Sequence, residues 1–411
     1  MANPLVELRK LGQSPWHDNI KREQLTSGSL KRLVDAGEIT GLTSNPTIFE
    51  QAISGGGEYD ADLRRLTAEG KGAEEIFYAL AIDDIRAAAD LFRGVYEETG
   101  TKDGYVSIEV APRLAHDTAR TIEEAQRLWR TVDRPNLMVK IPATMEGLPA
   151  IEQSIADGIN INITLIFSRE RYAAVMDAYL RGLIRRVEAN GKIDRVHSVA
   201  SFFVSRVDSL VDKLLDERIA EKPAGRERLE AVKGKAAIAN AKLAYQDFRK
   251  KFATEAYAGL RGHGANLQRP LWASTSTKNP AYPDVYYVEE LIGPDTVDTM
   301  PPATIDAYRD HGKPEVRLDK DVDQAERAMA DLAAAGIDME AVTRKLEDDG
   351  VAAFAKSFDS LISTVEERRQ AAIGGANPGG GSAKTDGAAK PETAAAKDAA
   401  DAANPRSSSQ R

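Results

Sequence analysis

The sequence predicts an α/β protein, a single (β/α)8 barrel with additional helices and a C-terminal tail outside it. Three observations carry this expectation. Eight short apolar runs alternate with longer amphipathic stretches, the pattern of a parallel sheet whose crossovers are helices. Eight is also the number that closes a parallel barrel. No GxGxxG or P-loop pattern follows any of the runs, which weakens the competing open, doubly wound sheet. A chain of 411 residues holds such a barrel, typically about 250 residues, as one domain.

In chain order, strands are expected at 14–19 (SPWHDN), 39–45 (ITGLTSN), 104–110 (GYVSIEV) and 137–143 (LMVKIPA), then at 161–167 (INITLIF), 197–204 (HSVASFFV), 270–276 (PLWASTS) and 296–301 (TVDTMP). Between them lie helix-period segments, among them Ile76 to Tyr96, Ala115 to Arg130, Ser168 to Ala189 and Leu229 to Tyr257. Helical segments from Asp321 to Arg369 would finish the domain, packing across the barrel. At about residue 372 the composition changes abruptly, and the Gly-rich run 374–382 opens a stretch of Ala, Lys, Asp, Pro, Ser and Gly reaching Arg411. Without aromatic residues and almost without aliphatic ones, it cannot bury enough surface to offset its ordering entropy. The expected organisation is a catalytic barrel over 1–371 and a disordered, low-complexity tail over 372–411.

Composition excludes several function classes. Hydrophobic content of 42% with 29% charged residues is ordinary for a globular protein with a large core. A formal net charge of −9 argues against a general nucleic-acid or membrane-surface binder, since both select basic faces. A small anionic substrate needs only one or two focused cations. The absence of cysteine removes disulfides, thiolate nucleophiles and thiolate metal sites. The N-terminus lacks the apolar core of a signal peptide and no apolar run reaches about 18 residues, so a soluble, cytoplasmic protein is expected. The oligomeric state stays open between monomer and homodimer.

In a parallel barrel the strands are buried on both faces and read as continuous apolar runs. Here four consecutive expected strands are each interrupted by a polar side chain. Glu109 stands between Ile108 and Val110, and Lys140 between Val139 and Ile141. Thr164 is flanked by Ile163 and Leu165, with Asn162 on the same face by the period of two, and Ser201 precedes Phe202 and Phe203. Each alone reads most simply as hydrogen-bonded structure, and Lys140 as a strand-end lysine reaching solvent. On adjacent strands of a barrel they converge on one interior patch near the C-terminal mouth. Lysine is almost never fully buried unless paired, and burial disfavours its charged form. A partly neutral lysine attacks carbonyl groups, and imine formation needs proton donors and acceptors beside the amine. At the ends of the first two strands stand Asp18 and Asn45, with simpler readings as a helix N-cap and a turn opener before Pro46.

These segments resemble the transaldolase family of Schiff-base-forming class I enzymes, in its longer bacterial form, from about residue 14 to about residue 365. The resemblance rests on Leu42-Thr-Ser-Asn-Pro-Thr-Ile-Phe49, Leu137-Met-Val-Lys-Ile-Pro-Ala143, Ile161-Asn-Ile-Thr-Leu-Ile-Phe-Ser168 and Trp272-Ala-Ser-Thr-Ser-Thr-Lys-Asn279. It implies a (β/α)8 fold, no metal or organic cofactor, and transfer of a dihydroxyacetone unit between sugar phosphates in the non-oxidative pentose phosphate pathway. By the same resemblance Lys140 forms the imine, Asp18 takes the C4 hydroxyl proton, and Glu109 acts through a water held with Thr164. Asn45, Asn162 and Ser201 would hold substrate hydroxyls, with Phe203 as an apolar wall. Arg206 matches the family's phosphate-binding arginine, with a surface ion pair to Asp208 or Glu217 as its simpler reading. At the place of the family's second arginine this chain has Lys278, a point donor rather than a fork.

Three other readings compete. A simple class I aldolase would share the fold; Glu109 and the long segment Val207 to Arg269 favour transfer. A metal-assisted hydrolase is opposed by the spacing of His17, His116, His197, His263 and His311, which form neither HxH nor HExxH. A non-catalytic scaffold leaves Lys140 unexplained.

Overall fold

A computed structural model describes residues 3–221 and 226–374. Eight parallel strands close into a barrel in sequence order, each hydrogen-bonded to the next and the eighth to the first. They are β1 (Gln13–Asp18), β2 (Gly41–Thr43), β3 (Val106–Glu109), β4 (Leu137–Pro142), β5 (Ile161–Ile166), β6 (Ser198–Phe203), β7 (Gln268–Ala273) and β8 (Thr296–Met300). Six of the eight are buried at every position, and β1 and β7 at all but one, as a sheet covered on both faces requires. The expected tail lies outside the described residues except for 372–374, which complete the helix Met339–Gly374.

The helical segments follow the sequence expectation with two differences, the first being that Ile76 to Tyr96 is divided at Phe92 into Ala73–Leu91 and Arg93–Glu98. The stretch expected as one helix from Leu229 to Tyr257 is broken into Arg226–Glu230, Ala236–Lys251 and Glu255–Gly262. Gly234 makes the first break. It adopts a left-handed φ of +68°, and a Cβ there would meet the Tyr282 hydroxyl at 2.5 Å. Two strands also end short of expectation: β2 keeps only Gly41–Thr43 of 39–45, and β7 stops at Ala273, where Ser274 turns left-handed, φ +58°.

The lumen alternates with the outer face along each strand. At its N-terminal end it is closed by a polar knot. Asp103, in the loop before β3, accepts hydrogen bonds from Trp16 Nε1 at 2.7 Å and from Ser14 Oγ. Arg269 of β7 lies 3.7 Å from the same carboxylate and donates to Ser14 Oγ and to the Lys102 carbonyl, each at 2.8 Å. Gly41 on β2 leaves room for the Trp16 indole, which a Cβ would meet at 2.5 Å.

The other end is crossed by the helix Met339–Gly374. Glu347 pairs with Arg171 beyond β5 at 3.3 Å, and Gly350 sits directly on Leu165, where a Cβ would come within 2.9 Å. Further along, Phe358 packs edge-on against Phe77, and Ser357 and Ser360 bond Thr47 and Glu50 at 2.8 and 2.5 Å. The helix thus spans the mouth from β5 to the helix that follows β2, as the sequence anticipated.

Candidate active site

Lys140 points into the lumen from the middle of β4 and is 5% exposed, so the solvent-facing reading of this lysine does not hold. Its Nζ donates to the Ser44 carbonyl at 2.9 Å and lies 3.1 Å from Glu109 Oε2. The pairing follows from register, because Glu109 of β3 and Lys140 of β4 are direct neighbours across the ladder. Phe354, from the helix that crosses the mouth, places its ring 6.0 Å from Nζ, at the outer reach of a cation–π contact.

Burial pushes the Glu109 carboxyl above the ordinary range, and the Asp18 charge adds to this, while Lys140 opposes it by charge and hydrogen bond. Asp18, at the end of β1, is also pushed up by burial, against a hydrogen bond from Thr43 and the charges of Lys140 and Arg206. Two carboxyls and an amine therefore share one buried space, in which burial pushes both carboxyls up and the Lys140 charge opposes it. That is the arrangement general acid–base chemistry needs. Asp18 caps no helix: its Oδ1 accepts from Thr43 Oγ1 at 2.6 Å, and the next helix, Arg22–Thr26, has Lys21 as its N-cap.

On the far side of Lys140 stands its other ladder neighbour, Asn162 of β5. The Asn162 amide donates to Ser107 Oγ at 3.1 Å and its carbonyl accepts from Ser201 Oγ at 2.7 Å, so β3, β5 and β6 are tied beneath the lysine. Thr164 follows at a bulge. The β5–β6 register shifts between Ile163 and Ile166, and Leu165 takes a left-handed φ of +60°. Such irregularities cluster where a side chain is re-aimed next to an active site. The Thr164 hydroxyl is fully buried and has no hydrogen-bond partner among the described residues.

Arg206 is the second residue of the helix after β6 (Ser205–Glu221), with its guanidinium 5.3 Å above the Phe203 ring, which packs on Phe167 at 5.1 Å. It makes no ion pair with Asp208 or Glu217. Asp208 instead accepts from Ala237 N at 2.7 Å and from Tyr287 Oη at 2.9 Å. Burial pushes the Arg206 guanidinium down, and the Asp18 charge is what holds it up. Asn45 does cap a helix, accepting from Ile48 N at 2.9 Å at the start of Pro46–Ser54, and it follows directly on Ser44, whose carbonyl holds Lys140. Lys278 is exposed in the loop after β7. Of the ten residues singled out from the sequence, eight therefore line or adjoin the C-terminal lumen, Asn45 is held by its cap beside it, and Lys278 stands at its rim.

The structure adds residues that the sequence reading missed. Thr43, Thr299 and Ser107 contribute hydroxyls from β2, β8 and β3. Single Ser or Thr residues are ordinary in strands; the period of two from Glu109 could have raised Ser107, and within β2 and β8 nothing of that kind reaches Thr43 or Thr299. Phe354 carried no signal at all, because a helical aromatic in an amphipathic stretch reads as core. No group of three or more His, Cys, Asp or Glu among the described residues could hold a metal ion. His17 and His197 are buried, and burial lowers them to about 4 and about 3. No described helix is long and apolar enough to cross a membrane.

Comparison with known proteins bears on this geometry. Residues 15–365 match the transaldolase/fructose-6-phosphate aldolase family. A protein named transaldolase from Trichodesmium erythraeum is 47% identical over 372 residues, covering 90% of this chain and 98% of that one. A transaldolase from Thermobifida fusca is 48% identical over 369 residues, covering 90% and 99%, and one from Frankia alni is 47% identical over 369 residues, covering 90% and 98%.

Proposed function

The chain belongs to the transaldolase/fructose-6-phosphate aldolase family, and we propose that its chemistry runs through Lys140. The activity is that of a transaldolase, a transferase that moves a dihydroxyacetone unit from a ketose phosphate to an aldose phosphate in the non-oxidative pentose phosphate pathway. The observation that carries the assignment of the site is the buried Lys140–Glu109 pair at 3.1 Å, inside the mouth of the barrel.

In this reading Glu109 takes a proton from the Lys140 ammonium, and the neutral amine attacks the C2 carbonyl of fructose 6-phosphate or sedoheptulose 7-phosphate. The carbinolamine loses water to give the imine. A water held between Glu109 and Thr164 carries the protons, which gives the unpartnered Thr164 hydroxyl a task. Asp18 then takes the proton of the C4 hydroxyl. The C3–C4 bond breaks, C4 leaves as an aldehyde, and the electron pair stays on C3, delocalised into the imine as an enamine. An acceptor such as erythrose 4-phosphate is attacked by C3, Asp18 returns the proton to the new hydroxyl, and hydrolysis frees Lys140. Asn45, Asn162 and Ser201 hold hydroxyls of the three-carbon unit, and Phe203 shields one side. Arg206 receives the phosphate, for which a fork of donors suits the oxyanion, and Lys278 adds a second positive charge at the rim. Phosphorylated substrates are retained by their charge on one side of a membrane, which is why we place the reaction in the cytoplasm.

Incubation with fructose 6-phosphate and borohydride tests this reading, with the adduct mapped by mass spectrometry. The expected adduct is on Lys140; none, or one elsewhere, overturns the reading. Formation of sedoheptulose 7-phosphate on adding erythrose 4-phosphate separates transfer from simple aldol cleavage. Lys278→Ala should raise KM for phosphorylated substrates far more than for unphosphorylated ones, and equal effects would remove it from the phosphate site.

A further inference from the structure

Asp18 has one oxygen tied and one open. Thr43 Oγ1 donates to Asp18 Oδ1 at 2.6 Å, and the same hydroxyl lies 2.6 Å from Thr299 Oγ1. A hydroxyl has one proton to give. Thr43 gives it to the carboxylate, so the second contact runs the other way, with Thr299 donating to Thr43. Three strands, β1, β2 and β8, thus supply one link each, at the seam where the first and last strands close the barrel. Both hydroxyl residues are buried, Thr43 to 2% and Thr299 to 4% exposure. Oδ2 of Asp18 has no hydrogen-bond partner among the described residues.

We propose that Thr299 is a positioning residue for Asp18, acting through Thr43, so that one carboxylate oxygen is locked and the other is presented to the substrate. The proposal rests on the reading of Asp18 as the base for the C4 hydroxyl.

Without Thr299, the Thr43 hydroxyl loses the donor that fixes its direction and can rotate its own proton away from Asp18. A hydrogen bond given to an ionised carboxylate favours that form, and here it works against burial. The other charged groups facing Asp18 are Lys140 from β4, Glu109 from β3 and Arg206 after β6. His17, the preceding residue, points to the outer face; Asp18 faces Thr43 across the β2 ladder, and Thr299 of β8 pairs with Trp16. The chain of hydroxyls is therefore the part of the surroundings that can be changed without touching a charge.

The test is the pH dependence of kcat, which reports groups in the bound complex, together with the titration of the Asp18 carboxyl followed by 13C NMR. Thr299→Val should move both the acid limb and the carboxyl titration upward by about half a pH unit, and Thr43→Val should move them further in the same direction. Thr299→Ser should restore both, which a loss of packing alone would not. Thr299→Ala removes the same hydroxyl should the valine variant fold poorly. An unmoved carboxyl titration in the Thr299 variants, or activity lost evenly at every pH, overturns the proposal. A shifted carboxyl titration with an unmoved kcat limb upholds the hydroxyl chain and removes Asp18 from its role as base, so the two failures are distinguishable.

Discussion

The two ends of the barrel lumen are built from the same ingredients and finished differently. Each holds a carboxylate against a cation, with hydroxyls beside them. At the N-terminal end the knot satisfies itself: Asp103 is bonded by Trp16 and Ser14, and Arg269 by Ser14, Lys102 and Asp103. At the C-terminal end the accounts stay open. Among the described residues, Thr164 has no hydrogen-bond partner, one oxygen of Asp18 accepts no hydrogen bond, and the Asp18 charge holds up the buried Arg206. A polar cluster that satisfies itself is structure, whereas one that leaves donors and acceptors pointing into a shared space is waiting for a ligand.

Four variants test this contrast, in falling order of effect. Lys140→Met should lower kcat on the order of a thousandfold or more without loss of stability in urea, because Glu109, already pushed up by burial, can take a proton. A large fall in stability would mean that the mouth is as structural as the base. Arg269→Met should do the opposite, costing about 3 kcal/mol in unfolding free energy by leaving Asp103 without its cation, with kcat unchanged.

Asp298 sharpens the contrast from outside the lumen. It is fully buried on β8, accepts from Thr275 Oγ1 at 2.8 Å, and its Oδ2 has no partner among the described residues. Burial pushes it up to about 7. Between about pH 4 and 7 the folded state keeps a proton that the unfolded chain has released, so this group's contribution weakens as pH rises through that window. Asp298→Asn should therefore raise stability at pH 8 and leave it unchanged at pH 4, measured by urea unfolding at both. A gain of equal size at both would assign it to packing instead. Smallest of all, Thr164→Val should raise stability by about 1 kcal/mol by removing a buried hydroxyl without a partner, while slowing turnover. A variant that is both faster and more stable would deny Thr164 any part in the chemistry.

How far the sequence could be read depended on whether a residue's role was local. The strands were legible because burial on both faces writes a continuous apolar run, and Lys140 and Glu109 were legible because each interrupts one. Register then did what alternation in the sequence implied, setting Glu109, Lys140 and Asn162 side by side across three strands. Thr43 and Thr299 were not legible, since their partnership crosses the closure of the barrel and joins residues far apart in the chain. The bulge at Leu165 was hidden because no glycine marks it. Gly234, by contrast, was there to be read and ends the first of three helices where one was expected.

The helix that spans the mouth has a consequence for how the protein comes into being. A ribosome releases β8, and with it the last rung of the barrel, before it has made Gly350 or Phe354. The strands can therefore assemble into a closed cylinder while the ceiling over Lys140 is still being synthesised. Activity must lag behind folding of the barrel, and a nascent chain halted after Met300 would carry all eight strands with its lysine open to the surrounding water.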